Sequence, residues 1–551
     1  MIRSRLSLTK TTPLAPRGLV TAEHPTGAAI GAAILARGGN AVDAAVATAF
    51  AMPVVEPFMS TIAGAGTMMI HRARTGETVC IDFNGNAPMA AHDRVFPVIG
   101  GIATYALFAW PRVEHDANVY GHRSVAVPGS VAGLALALER FGTMTLADVI
   151  APAVRLARDG FIADWYQALN TAKYLEELSA FPETARIHLR NGRSVYRPPS
   201  MEPGDRVTNP DLAATMELIG RDGPDAFYRG AIAQAIHNDM AANGGLITKD
   251  DLAAYQVRVV APLLGRYRDL DLAFSPGATG GTTALEILNI LEQFAPSACG
   301  HATAAGLHVR AEAVRRAFTD RFTYLGDPAL VKAPFDELAS KDYARQVARE
   351  IKRGRPAQAA PSRGAAADCT THVSVVDKDR NMVSLTHTAV SLWGSRVVVP
   401  GTGILLNNGM IWFDPEPGKP NSVASGKRGM VNMVPVLGFK KGKPSLALGA
   451  PGGRKIISAI PQVLANLVDG KGSLQAAIDA PRLHHEGASL EIDGRVGQKN
   501  LDALGKRGHQ VAEKTETYAS LNFARPVGVR VTPKGLEAGL DSFGAAAAAG
   551  H

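Results

Sequence analysis

The sequence predicts an α+β layered fold, with helices packed on sheets that are assembled from both ends of the chain. Three observations predict it. Small, Ala-rich helical segments near the N-terminus run straight into a β-branched hairpin, helical periodicity dominates from about 130 to 350, and strand patterns return after residue 370. With 551 residues, 46% of them hydrophobic and 20% charged, the chain can bury a large core, and length alone favours more than one domain.

Residues 26–51, TGAAIGAAILARGGNAVDAAVATAFA, give two helices: Gly38 and Gly39 end the first, and Asn40 is placed to cap the second. Residues 67–83, TMMIHRARTGETVCIDF, form a hairpin turning near Thr75 and Gly76. SVAGLALALERFG and LHVRAEAVRRAFTDRF carry helical spacing. The stretch 352–369 is rich in Pro, Ala, Gly and Arg and nearly devoid of large apolar side chains, so it cannot bury enough surface to offset its chain entropy. Composition alone makes it a mobile linker between two domains. Thr370 follows at once and opens THVSVVD, KDRN and MVSLTHT, two β-branched runs about a polar turn. Further strands are expected at 397–406 and 445–449, a helix at about 454–468 after GAPGGRK, and fraying in the low-complexity tail FGAAAAAGH.

Bulk properties exclude several function classes. The net charge of +8 invites a nucleic-acid partner, but Lys and Arg are scattered and no basic block alternates with aromatics, so none is expected. No apolar run approaches the roughly 18 residues needed to span a bilayer, and no membrane association is expected. MIRSRLSLTKTTPLAPRG lacks the apolar stretch of a secretory signal, which points to a cytoplasmic protein. Cys80, Cys299 and Cys369 are far apart and odd in number, which fits neither a disulfide framework nor a zinc site. Cys369 has no evident partner base. No metal-ligand spacing or nucleotide loop is found, so no cofactor is expected.

TTHVSVVDKDRNMVSLTHT, GILLNNGM, GAPGGRKI and APRLHH resemble the small-subunit core of the γ-glutamyltranspeptidases. Upstream, GGNAVDAAVA, VPGSVAGLALALERFGTMTLADVIAPAVRLARDGF and YLGDP resemble the large subunit, in the same order, and the likeness runs from about residue 18 to 530. The resemblance implies a four-layer αββα sandwich of the N-terminal nucleophile hydrolase type, made from one self-cleaving precursor. It makes residues 1–369 the large-subunit portion and 370–551 the small-subunit portion, associated as one αββα domain. On this reading the strap is the end of the large chain.

The resemblance places the nucleophile at Thr370, with Thr371 as the register alternative. A threonine hydroxyl is a weak nucleophile that needs a base. Cleavage before Thr370 would supply one on the same residue, an α-amine with a reference pKa of about 8. Thr388 falls where the family has a second threonine that hydrogen-bonds the nucleophile. Gly452 and Gly453 match a glycine pair whose N–H groups stabilise an oxyanion. Such a site needs no histidine base, so His372, His484 and His485 are read as structural, and Asn407 and Asn408 as residues that fix a loop.

The pattern breaks at the substrate side. Where the family carries polar residues for a glutamyl zwitterion, this chain has Asn84, Val390, Gly409, Trp412, Val431 and Asn432. The fixed cation and the fixed anion are both missing from their places, and a more apolar wall is expected. The expected substrate is a small-molecule amide with a larger, less polar or aromatic acyl group. The alternatives are a conventional γ-glutamyl hydrolase or transferase, a small-acid (oxamate-like) amidohydrolase using Arg112 or Arg123 as cation, and an unprocessed binding scaffold.

Overall fold

A computed structural model describes residues 8–12, 14–103, 110–352, 369–487 and 489–551. The predicted linker falls almost wholly at 353–368, outside the described residues.

Two seven-stranded antiparallel sheets lie face to face. The first runs, strand by strand, Ala547–Gly550, Leu19–Ala22, Thr371–Val376, Met382–Thr388, Ala65–Arg72, Glu77–Phe83 and Arg258–Val260. The second runs Leu14–Ala15, Gly535–Leu540, Val527–Thr532, Lys443–Gly449, Val436–Lys440, Leu270–Phe274 and Leu263–Tyr267. Helices Pro25–Ala36, Ala41–Val55 and Ser130–Phe141 cover the outer face of the first sheet. Helices Gly281–Leu291, Lys455–Gly470 and Leu474–Asp479 cover that of the second, and Ala304–Tyr324 packs on Gly281–Leu291. The result is the expected αββα sandwich.

The local chemistry explains the inner layers. Asn40 caps Ala41–Val55 by accepting from Val42 and Asp43 N–H, and Asp43 accepts from Asn40 N–H at 2.7 Å, a reciprocal capping box. Every residue of this helix is buried, and its alanines let it lie close against the strands of the first sheet. Three separate apolar layers follow: one between each sheet and its helices, and a thinner one between the sheets, built on Met69, Val376, Met382, Leu437, Val529 and Leu536.

One expectation is extended and one is corrected. The region from 130 to 350 is mainly helical, but it also contributes Arg258–Val260 to one sheet and Leu263–Tyr267 with Leu270–Phe274 to the other. These strands are short and join at a tight turn in which Arg268 has φ 56°, so helical neighbours on both sides mask their alternation. The alanine-rich tail does not fray. Ala547–Gly550 pairs with Leu19–Ala22, and His551 exchanges backbone hydrogen bonds with Gly18 at 3.1 and 3.3 Å. Its small side chains suit an edge strand lying close to helix Pro25–Ala36.

The sheets approach closely at Gly449, where a Cβ would come within 2.1 Å of the buried His372 ring. That ring is fixed by Thr386 Oγ1 at 2.9 Å and Ser374 Oγ at 3.0 Å. Gly449→Ala is therefore expected to destabilise the protein by about 1–3 kcal/mol in urea unfolding. Gly470→Ala, where a Cβ meets nothing within 4 Å, is expected to stay within about 0.5 kcal/mol of the parent. Equal effects would contradict this packing.

Candidate active site

The hairpin Thr371–Val376/Met382–Thr388 sits in the middle of the first sheet, and its register pairs Thr371 with His387. This register brings Thr370, just before one strand, beside Thr388, the last residue of the other. Their hydroxyl oxygens lie 3.4 Å apart, and both residues are buried. Thr370 Oγ1 also contacts the carbonyl oxygen of Cys369, the residue whose peptide bond it would have to attack. Thr388 Oγ1 accepts from Val390 N–H at 2.8 Å and from the Thr370 hydroxyl, which ties the end of the hairpin to the turn that follows it.

That Val390 contact requires an unusual backbone. Val390 has φ 91°, a region that a β-branched residue rarely enters, at a cost of order 1–3 kcal/mol. The segment keeps turning, with positive φ at Trp393, Gly394 and Arg396. Trp393 is fully buried, and its indole N–H donates to Asn170 O at 3.2 Å, which anchors the turn.

Gly452 and Gly453 have φ 131° and 50° and join strand Lys443–Gly449 to helix Lys455–Gly470. A Cβ at Gly452 would come within 2.5 Å of Ala524 Cα. Their carbonyls accept from Lys455 and Ile456 N–H at 3.1 and 3.2 Å. Among the described residues, neither glycine's N–H donates to a protein acceptor. Gly453 lines a cavity of about 10 Å³ together with Thr370, Thr388, Val390, Trp412 and Asn432, space for roughly one water.

The other residues singled out from the sequence divide into two groups. Val390, Trp412 and Val431 come together with Trp110, Ile411 and Met433 in one buried apolar cluster that adjoins the cavity. Asn432 lines the cavity, while its side-chain oxygen accepts from Arg321 Nη2 at 3.3 Å. Arg321 is fully buried beneath it and also donates to Thr279 O and Val431 O. Burial, followed by the neighbouring Arg454, pulls its pKa down to about 9.

Asn84 and Gly409 are not among the cavity residues. Asn84 Nδ2 is used on Asp82 at 2.7 Å and Thr67 at 3.1 Å. Gly409 is packed so that a Cβ would meet Ala126 Cβ at 2.6 Å, which leaves no room for a longer side chain. Arg112 and Arg123 are exposed, and Arg123 donates to Val95 O at 3.1 Å.

The remaining polar residues are structural. Asn407 bridges Ala63, Ala126 and Gly409 backbone groups, and Asn408 holds Ser391 and Val119. Burial pulls His372 and His485 down to about 3, so both stay neutral, and His484 sits between Ser458 and Glu486 at 2.9 Å from each. Cys369 is buried, its Sγ facing the Phe58 and Met59 carbonyls, and burial raises its thiol well above the usual range. Cys80, Cys299 and Cys369 are all free. Met433 and Ile456 line the cavity unforeseen, though each stands within a few residues of a position that was singled out. Trp110 gave no signal: it arrives from a distant hairpin and donates to Ile411 O at 2.9 Å.

Comparisons with known proteins identify the family. The sequence profile of the Gamma-glutamyltranspeptidase family matches residues 27–551. The chain is 38% identical over 509 residues to the Acylase ACY 1 proenzyme of Pseudomonas sp. (strain SE83), covering 92% of this chain and 89% of that one. It is 36% identical over 522 residues to the Glutathione hydrolase proenzyme of Escherichia coli (strain K12), covering 91% and 87%. Among solved structures, cephalosporin acylase from Bacillus halodurans superimposes with a TM-score of 0.87 at 28% identity over 100% of this chain and 98% of that chain. Gamma-glutamyltranspeptidase of Helicobacter pylori gives 0.56 at 32% identity over 66% and 95%. The chain therefore belongs to the γ-glutamyltranspeptidase family and is an amidohydrolase of the N-terminal nucleophile type.

Proposed function

We propose that this protein is a self-processing acylase: it cuts its own chain between Cys369 and Thr370, and the freed Thr370 then hydrolyses amides whose acyl group is larger and less polar than γ-glutamyl. The apolar cluster of Trp110, Val390, Trp412, Val431 and Met433 beside Thr370 is the observation that carries the substrate half of this reading. Relatives named acylase and cephalosporin acylase support the same direction.

In the first stage Thr370 Oγ1 attacks the Cys369 carbonyl carbon, and its proton passes to the departing Thr370 nitrogen as the C–N bond breaks. The resulting ester is hydrolysed by water, which leaves a Cys369 carboxylate and a free α-amine on Thr370. Residues 1–369 and 370–551 then form the two associated chains. In the second stage the neutral α-amine takes the proton from Oγ1 as Oγ1 attacks the substrate carbonyl. The Gly452 and Gly453 N–H groups, lacking protein acceptors among the described residues, stabilise the oxyanion that develops. Thr388 orients Oγ1, the amine leaves with the proton, and water releases the acid. Thr371 is less suited than Thr370, because it already pairs within the strand.

A γ-glutamyl group brings both a carboxylate and an ammonium into this pocket. Each lost charge-assisted contact is worth about 1.5–3 kcal/mol. Among p-nitroanilides, kcat/KM for an aromatic acyl group is expected to exceed that for γ-glutamyl by roughly 100-fold or more. The reverse order would restore the conventional transferase reading, and preferential turnover of oxamate would favour the small-acid alternative.

Val390→Asn tests the wall itself. Asparagine tolerates positive φ better than valine but buries an amide among apolar side chains, so the two effects oppose each other and Tm is expected to fall by no more than a few degrees, while kcat/KM for aromatic acyl amides falls about tenfold or more. An unchanged kcat/KM would remove Val390 from the pocket.

The pH profile tests the base. The α-amine acts only when neutral, so activity is present above its pKa and lost as pH falls through it. The reference pKa is about 8, and burial lowers that of an amine. The rising limb of kcat/KM is therefore expected at or below about pH 8. A midpoint above about pH 9 would contradict the amine as base.

A further inference from the structure

A second group of titratable side chains lies in the outer helical layer of the other sheet. His308 and Glu312 are one turn apart on helix Ala304–Tyr324 and share a face. His509 follows helix Gln498–Lys506, its N–H donating to Leu504 O at 3.2 Å. His308 Nδ1 and His509 Nε2 are 2.7 Å apart and share one hydrogen bond. A ligand atom from each of the two histidines and from Glu312 lies within 4.8 Å of the others. Glu312 is buried, and one of its oxygens is held by Arg315. The mechanism above uses none of these side chains.

We propose that His308, Glu312 and His509 bind a divalent transition metal of the zinc class. Two imidazoles and one carboxylate, with a fourth position left to water, match the ligand preference and coordination number of Zn²⁺. The ion takes the place of the shared hydrogen bond: one N–H···N hydrogen bond is lost, two metal–nitrogen bonds form, and the proton moves to the other nitrogen of its own ring. With metal–ligand distances of about 2.0–2.2 Å, the nitrogens need to separate only to about 3.3 Å. Arg315 fixes the carboxylate from behind, as outer-shell partners of metal sites do. Arg315 and Arg507 oppose a dication electrostatically, and the anionic Glu312 offsets part of that.

The placement gives the ion a role. His308 and Glu312 precede Thr370 in the chain and His509 follows it, so the metal ties the two portions together. That role as an inter-chain tie rests on the processing proposed above; metal binding itself does not.

Protein stripped with a chelator and titrated with ZnCl₂ by calorimetry tests this. One Zn²⁺ per molecule is expected, with a higher Tm in the presence of zinc. His308→Ala and His509→Gln should each weaken binding roughly 100-fold or more while unfolding, without metal, near the parent Tm. Thr370→Ala should bind zinc like the parent, which separates this site from the processing chemistry; loss of binding there would contradict a preformed site. Absence of saturable binding in the parent, or parent-like binding in both histidine variants, would overturn the proposal.

Discussion

The rest of the structure depends on one antiparallel pairing, Thr371–Val376 with Met382–Thr388. A one-residue slip would turn His372 out of its polar seam and separate Thr370 from Thr388. The register is held on both sides: Val373 to Val376 pair with Leu19–Ala22, and Met382 to Thr388 pair with Ala65–Arg72. It is also held from across the sandwich, where Ser384 donates to Leu448 O at 2.8 Å and Gly449 leaves space for the His372 ring. The strand carrying Leu448 and Gly449 runs directly into Gly452 and Gly453, so the same contact that fixes the hairpin also positions the glycine pair.

The two halves of the site are built differently. Thr370, Thr388 and the glycines are set by backbone geometry: strand ends, positive φ values and carbonyls committed to a helix start. The apolar half, which we propose faces the acyl group, is set mainly by side-chain packing. Asn84 is committed to Asp82 and Thr67, Gly409 has no room for a longer side chain, and Val390, Trp412 and Val431 are joined to Trp110 in a common apolar cluster. A polar residue placed at Val390, Trp412 or Val431 would not by itself make a site for a zwitterion, because its apolar neighbours would leave it without a partner.

Much of this was legible in the sequence, for identifiable reasons. The Asn40 cap, the Gly76 turn and the hairpin after Thr370 follow local rules that depend on few neighbours. The four-layer architecture and the proposed catalytic positions came through resemblance, since several long motifs occur in family order. What stayed hidden depends on distant contacts. The tail Ala547–Gly550 reads as low-complexity and becomes a strand only because Leu19–Ala22 offers an open edge. Trp110 reaches the apolar cluster from a separate hairpin. His308 and Glu312 meet His509 across about two hundred residues of chain, so no local spacing marks them.

The central claim is that Thr370 is both the site of self-cleavage and the nucleophile, and intact mass of the purified protein beside its Thr370→Ala variant tests it most directly. Two fragments from the parent, divided between Cys369 and Thr370, with a single uncut chain from the variant, are the predicted result. An uncut parent chain with amide turnover equal to that of the variant would contradict it.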